Sequence, residues 1–324
     1  MPATNLRRKA LRVLFLCTAF WAVSFPVMKA LALAQQQIMP GAGSWFITSL
    51  CVMLRFFLAG GLLLFFVRPT LKTITGPELA QGLGLACFAS AGIGLQMDGL
   101  AYVPASTSAF LTQFYCVLIP LWVAFGSRRP PAVRIVICSA LVLIGMAVLV
   151  NFHLSAFRLG RGEVETLAGS VLFAAQILCL EAPRYAANRP VCITTVMLLA
   201  MGGIAAPVVL ATAPGMGACV RLYDSAPLLG LLGILVLVCS LVPFLLMNRW
   251  QREVTATEAG LVYCAEPVLV SALVLFLPHW LSRWAGVDYA DEHVTARLFL
   301  GGCLITVANA GLQWQGAESR QTSG

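Results

Sequence analysis

Long, nearly uninterrupted runs of apolar residues constrain this chain more than any other feature. Each run has about 20 residues, the length a helix needs to cross the hydrocarbon core of a bilayer. The runs, called segments 1 to 10, are 13–34, 45–67, 79–100, 103–126, 134–151, 166–184, 191–212, 227–248, 257–278 and 297–315. None shows the period-2 alternation of barrel strands, so an all-α integral membrane protein with ten transmembrane helices is predicted.

Composition excludes a pair of soluble domains. Of the 324 residues, 60% are apolar and 10% are charged, whereas soluble domains have about half and about a quarter. The net charge of +8 would suit nucleic acid, but no soluble basic domain carries it. We therefore expect membrane lipid to surround the chain, and we expect no nucleic-acid partner.

The distribution of Lys and Arg predicts the orientation. Of the 21 basic residues, 14 fall on the N-terminal side of the membrane, five on the other side, and Lys29 and Arg55 within segments. By the positive-inside rule both termini are cytoplasmic, including a short tail, 316–324. Arginine-rich usage without eukaryotic targeting motifs favours a bacterial cytoplasmic (inner) membrane.

The N-terminus also resembles a secretory signal peptide. "RRK" precedes an apolar stretch that ends in an A-x-A pattern at Ala32 and Ala34. The stretch is longer than the usual apolar region of about 7 to 15 residues and contains Trp21, Pro26 and Lys29. Cleavage would also leave nine segments and reverse the charge bias, so a first transmembrane helix is favoured.

No motif indicates an enzyme or a metal site. The sequence lacks GxSxG, HExxH, P-loop and GxGxxG patterns. Ten of the 11 cysteines lie within segments and no CxxC pair occurs, so they are interpreted as small packing residues. Neither a catalytic residue nor a metal or cofactor is expected.

An internal repeat gives the strongest indication of function. At an offset of 151 residues, "VPASTSAFLTQFYCVL" (103–118) aligns with "VTATEAGLVYCAEPVL" (254–269); at 152, Lys29 aligns with Glu181. Two repeats follow, 1–151 and 166–315. Because each holds five segments, the second enters the membrane from the opposite side, as in secondary transporters whose site lies at the repeat interface. A channel or a scaffold could share this design.

The chain resembles EamA-type transporters of the drug/metabolite transporter superfamily. The resemblance rests on "FWAVSFPVMKALAL", "LRFFLAGGLLL", "STSAFLTQFYCVLIPLWVAF" and "TEAGLVYCAEPVLVSALVLFL" and covers nearly the whole chain. It implies a central cavity lined by segments 1, 3, 4, 6, 8 and 9, with segments 5 and 10 peripheral and at a dimer contact. The chain departs from the family in its long, charged connection 278–296 and in lacking the usual Gly-Glu there.

Two polar stripes are candidates for the cavity wall. Ser108, Thr112 and Tyr115 share one face of segment 4 because they stand at i, i+4 and i+7. The residues 151 positions after Thr112 and Tyr115 are Tyr263 and Glu266, which share one face of segment 9. Two related stripes in apolar helices are what a shared cavity would need.

Glu266 is the sharpest single candidate. It lies near the middle of segment 9, where a carboxylate marks either a functional site or an internal pair. A substrate or proton role and an ion pair with Arg55 of segment 2 are both open. For Arg55 the structural role is favoured.

Lys29 interrupts segment 1 about 25 Å along the helix from the inner surface, toward its outer side. Snorkelling to the outer interface and a cavity or gate role are both open. Trp21 and Ser24 lie nearby, and the resemblance places this helix at the cavity. Glu181 holds the inverted position toward the inner side, with the same alternatives. If Lys29 faces the cavity, a carboxylate-bearing metabolite is its natural partner.

Two polar residues lie at the outer end of segment 3. Gln96 is expected to line a vestibule or gate, and Asp98 to be a solvated loop residue. The combined expectation is a secondary transporter, an exporter of a small organic metabolite, working by alternating access. The alternative is a membrane scaffold or lipid-handling subunit with the same fold, and an intramembrane enzyme ranks third.

Overall fold

All regular structure in the described residues is helical. The computed structural model describes residues 3–126, 133–149, 159–254, 256–293 and 295–318. Its α-helices are α1 Ala3–Ile38, α2 Ser44–Leu71, α3 Gly76–Gly99, α4 Ala105–Thr112, α5 Tyr115–Gly126, α6 Val133–Leu149, α7 Arg161–Leu180, α8 Pro190–Thr212, α9 Met216–Arg221, α10 Ala226–Val236, α11 Val242–Trp250, α12 Ala256–Tyr263, α13 Glu266–Leu273, α14 Leu277–Ala285 and α15 Ala296–Glu318. A π-helical turn, Leu237–Leu241, joins α10 to α11.

Within the described residues, each apolar segment lies largely on helices, and several of these helices have membrane-spanning length. Within the described ranges, six helices are long and apolar enough to cross a bilayer, or seven if the bent pair α13 and α14 counts as one span. The six are α1, α2, α3, α7, α8 and the continuous unit Ala226–Glu253. The predicted tail contributes 316–318 to the end of α15, and 319–324 lie outside the described residues.

Segments 4 and 9 are each broken near the middle. The first break separates α4 from α5 after Thr112, and the second separates α12 from α13 after Tyr263. Tighter i→i−3 backbone bonds form at both breaks, as from Phe114 to Leu111 and from Ala265 to Val262. The two breaks, and the starts of the helices on either side, are 151 positions apart.

The long helices pack in pairs, and α1 packs against helices of the second half of the chain. α2 packs along α8, α3 along α7, and α6 along α15, while α1 contacts α11, α12 and α13. Most buried apolar side chains form one cluster, and a smaller cluster lies between α4, α5, α6 and α15. α1 therefore lies where helices of both halves of the chain meet.

Polar networks tie the helices together at both ends of the bundle. We call the end that holds Gly76 and Pro190 the inner end, and the end that holds Gly99 and Arg161 the outer end. At the inner end, the Glu78 carboxylate accepts hydrogen bonds from Arg189 Nε at 2.6 Å and Nη2 at 2.8 Å. These hydrogen bonds raise the pKa of Arg189.

At the outer end, the expectation for Asp98 is wrong. Its side chain is fully buried and forms an ion pair with Arg161. Gly99 and Gly162 allow this burial, because a Cβ on either would lie within 3 Å of the other's carbonyl oxygen. The resulting close approach of α3 and α7 encloses the carboxylate.

Candidate functional site

A cavity lies at the centre of the helix bundle, between the two halves of the chain. The space it encloses, counted together with its open mouth, is about 650 Å³. Sixteen residues line it: Trp21, Ser24, Phe25, Met28, Arg55, Ile93, Gln96, Thr112, Tyr115, Phe173, Gln176, Ile177, Phe244, Met247, Tyr263 and Glu266.

The lining residues are related by the offsets found in the sequence. Fourteen of the sixteen form seven pairs that are 151 or 152 positions apart. The pairs are Trp21 with Phe173, Ser24 with Gln176, Phe25 with Ile177, Ile93 with Phe244, Gln96 with Met247, Thr112 with Tyr263, and Tyr115 with Glu266. Met28 and Arg55 stand outside this pattern. Both halves of the chain thus contribute corresponding positions to one space.

Aromatic rings form much of the wall. The ring centroid of Trp21 lies 5.5 Å from that of Tyr263 and 5.9 Å from that of Phe244. These tilted arrangements suit the ring quadrupoles and hold the rings in place. The wall offers apolar surface and aromatic faces to an organic molecule.

Glu266 brings a carboxylate to this wall at the second break. It is the first residue of α13 and is buried. Pro267 follows it and, lacking an N–H, is tolerated in the first turn of a helix. The Gln113 Nε2 of the opposite break donates to Glu266 Oε2 at 3.1 Å. Among the described contacts, this is the hydrogen bond that the Glu266 carboxylate accepts, and Glu266 forms no ion pair with Arg55.

Arg55 brings a cation to the same cavity from α2. Its Nε donates to Ser240 Oγ and its Nη2 to the Cys239 carbonyl at 2.9 Å. Both acceptors belong to the π-helical turn. Pro243, four residues after Cys239, has no N–H to donate to the Cys239 carbonyl. Nη1 contacts only the weak acceptor Met28 Sδ, at 3.4 Å. The described contacts therefore give the guanidinium neutral partners.

Gln96 and Thr112 join two helices at the outer part of the cavity. Gln96 Nε2 donates to Thr112 Oγ1 at 2.9 Å, and Thr112 Oγ1 donates to the Ser108 carbonyl at 2.8 Å. Ser170 Oγ donates to the Thr112 carbonyl at 2.7 Å. These bonds fix α3, α4 and α7 relative to one another.

Eight of the eleven sequence candidates line the cavity. They are Trp21, Ser24, Arg55, Gln96, Thr112, Tyr115, Tyr263 and Glu266. Ser108 is fully buried behind the wall, and its hydroxyl has no hydrogen-bond partner among the described residues. Lys29 and Glu181 lie beyond the wall, toward the outer and inner ends respectively.

Sequence reasoning did not assign Gln176 or most of the apolar lining to the cavity. The missing signal was the repeat itself. Applying the offset of 152 to Trp21 and Ser24 gives Phe173 and Gln176, and the offset of 151 takes Gln96 to Met247. Within the described residues, no group of three or more His, Cys, Asp and Glu side chains could hold a metal ion.

Comparison with known proteins gives the fold alone. No protein-family model matches the chain. No curated protein matches it either. One solved structure, described only as a crystal structure of a protein, is 17% identical with a TM-score of 0.63. The match covers 96% of this chain and 98% of that one, so nearly the entire helical arrangement is shared with a solved protein.

Proposed function

We propose that this chain is a secondary transporter that exports a small organic metabolite by alternating access. The single observation that carries the proposal is the central cavity, whose wall is built from seven pairs of positions related by one offset. In secondary transporters with inverted repeats, the substrate site lies at the repeat interface near the midplane. A two-fold related wall lets the same site face either side of the membrane.

The architecture proposed with this function is ten transmembrane helices in two inverted five-helix repeats of the EamA type. The matched breaks of segments 4 and 9 support it. So does the packing, because α3 on α7 and α1 on α11 are equivalent contacts under the repeat. We propose that the membrane is a bacterial inner membrane and that both termini are cytoplasmic. α6 and α15 lie at the periphery, with exposed apolar side chains such as Ile144 and Phe299, and are proposed as a homodimer contact.

The lining suggests the chemistry of the solute. Arg55 presents a guanidinium that could bind a carboxylate, and Glu266 presents an acid that could bind an amine or carry a proton. The rings of Trp21, Tyr115 and Phe244 would contact an apolar body. A carboxylate-bearing metabolite fits this set.

The test compares solute distribution in cells that make the wild-type chain, Glu266→Gln or Asp224→Asn at equal membrane abundance. Metabolites inside and outside the cells are profiled, and the solute that shifts is then measured in proteoliposomes. Asp224 is an exposed loop residue and gives a matched loss of one acid. We expect Glu266→Gln to lower the initial rate by about tenfold or more, the effect of about 1.4 kcal/mol in the barrier.

Three outcomes are informative. Loss of the shift with Glu266→Gln alone supports transport and the assigned site. Equal rates for all three proteins would retain transport and reject Glu266 as a site residue. A wild-type chain that moves no solute across broad conditions would favour the scaffold or lipid-handling alternative.

A further inference from the structure

Lys29 binds the hairpin between α3 and α4 at the outer end of the bundle. Its Nζ donates to the carbonyl oxygens of Leu100 and, at 3.0 Å, Val103. Leu100 ends the helical run of α3, where carbonyls lack helical partners and favour a cation. The lysine therefore ties α1 to this hairpin across the outer end of the cavity.

The outer loop, residues 286–293, covers the same hairpin from the other side. Glu292 Oε1 accepts the Ala105 N–H at 2.8 Å, and its Oε2 accepts the Ser106 hydroxyl. Ala105 and Ser106 begin α4, where free N–H groups favour an anion. The Glu292 carboxylate also attracts the Lys29 ammonium. One acid thus caps α4 and faces the lysine that binds α3.

The loop is held in position for this contact. Gly286 has a φ of 68°, a left-handed conformation that suits glycine and ends α14. Ser282 Oγ of α14 donates to the Tyr289 carbonyl of the loop at 2.7 Å, and Glu292 N donates to the Val274 carbonyl at 2.9 Å. The length and charge of this connection, unusual for the family it resembles, therefore serve a defined contact.

A corresponding contact exists at the inner end. Glu181, which is 152 positions after Lys29, accepts a long hydrogen bond of 3.5 Å from Gln251 Nε2. Gln251, which is 151 positions after Leu100, also accepts the Tyr263 hydroxyl at 2.8 Å. Equivalent positions of the two halves thus meet at opposite ends of the cavity.

Both contacts lie one helical turn beyond the cavity wall. Phe25 and Gln96 line the cavity, and Lys29 and Leu100 follow them by four residues. At the other end, Glu181 and Gln251 follow Ile177 and Met247 by the same interval. Four residues are about one turn, or 6 Å along the helix.

We propose that Lys29, assisted by Glu292, and Glu181, through Gln251, are the outer and inner gate residues of this cavity. The proposal rests on the proposed alternating access. Breaking the outer contact favours the outward-open state, and breaking the inner contact favours the inward-open state. A change that removes a contact made in only one state shifts the equilibrium between the two.

The test measures access to the cavity without using any solute. Ile93→Cys and Met247→Cys place a reporter thiol at the outer and inner parts of the wall. A membrane-impermeant maleimide is added to intact cells for Ile93→Cys or to inside-out vesicles for Met247→Cys. Labelling of the reporter peptide is followed by mass spectrometry, which separates it from native cysteines.

We expect Lys29→Met and Glu292→Gln to raise outside labelling of Ile93→Cys by about tenfold, since losing a charge-assisted hydrogen bond shifts an equilibrium by about this factor. Both should lower inside labelling of Met247→Cys, and Glu181→Ala should do the reverse. Asp288→Asn, an exposed acid in the same loop, and Lys72→Met, an exposed lysine, are the matched controls. Neither control should change labelling.

Equal rises at both reporters would show general loosening and overturn the proposal, as would no change at either. Glu292→Gln alters only a loop and keeps the test decisive if Lys29→Met does not fold. Shifted labelling without any transported solute would keep the gates and reject the proposed function. Transport without a shift in labelling would keep the proposed function and reject the proposed gate residues.

Discussion

Two adjacent glycines in α2 provide a sharp test of the helix packing. A Cβ added to Gly60 would lie 2.9 Å from the backbone nitrogen, Cγ and Cδ2 of Leu199 in α8, whereas a Cβ added to Gly61 would meet nothing within 4 Å. Gly60→Ala and Gly61→Ala change helix propensity alike, by about 0.5–1 kcal/mol in favour of alanine. The difference between the two variants therefore isolates the packing of α2 on α8.

The magnitude follows from the contact distances. Carbon atoms pack at about 3.5–4.0 Å, so Gly60→Ala must move the helices apart by roughly 0.6 Å or more. Overpacking of this kind costs about 1–3 kcal/mol. We expect Gly60→Ala to unfold at a lower temperature than Gly61→Ala, by about 2–4 °C for each kcal/mol if the chain behaves like a large domain. The assay is thermal unfolding of the purified proteins in one detergent.

The same comparison is available on the partner helix. A Cβ at Gly202 of α8 would lie 2.7 Å from Phe57 Cγ, and one at Gly203 would meet nothing within 4 Å. Gly202→Ala should therefore be the less stable of this second pair. Equal midpoints within both pairs, or the reverse order, would refute the close packing of α2 on α8.

Two further predictions test other parts of the structure. The Sγ atoms of Cys116 and Cys264 lie 3.7 Å apart where the two broken helices cross, so mild oxidation should join these residues in a disulfide that peptide mapping detects and Cys264→Ser abolishes. Joining either cysteine to other partners instead would contradict this crossing. Glu78→Gln should lower the unfolding free energy by about 1.5–3 kcal/mol because the buried carboxylate loses charge-assisted bonds to Arg189. Glu253→Gln, which breaks only an i,i+4 pair with Arg249, should cost about 0.5 kcal/mol or less in the same thermal assay.

The repeat was visible in the sequence, but the sequence did not show that paired positions of the repeat form the cavity wall. The offset of 151 related segment 4 to segment 9, and both helices break at positions related by that offset. Paired wall positions carry different side chains, such as Tyr115 with Glu266 and Ile93 with Phe244. A search for matching residues misses such pairs, because symmetry preserves the position of a side chain and not its chemistry.

Burial of polar groups was the least predictable feature. Asp98 stands at the end of an apolar segment and was expected in solvent, yet close packing of two glycines encloses it with Arg161. Glu266 and Arg55 were weighed as an ion pair, yet Gln113 and the π-helical turn supply their hydrogen bonds. Such partners come from distant parts of the chain, so local patterns do not identify them.

The sequence by itself determined that the chain is helical, where its apolar segments lie, and that Lys29 occurs in the outer half of the first one. These properties are local, because hydrophobicity and backbone hydrogen bonding act within one segment. Only the tertiary structure decided that Lys29 binds Leu100 and Val103 and that Trp21, Tyr115 and Glu266 share one cavity. The rotation and register of each helix against its neighbours set those contacts, and they are determined by packing across the whole bundle.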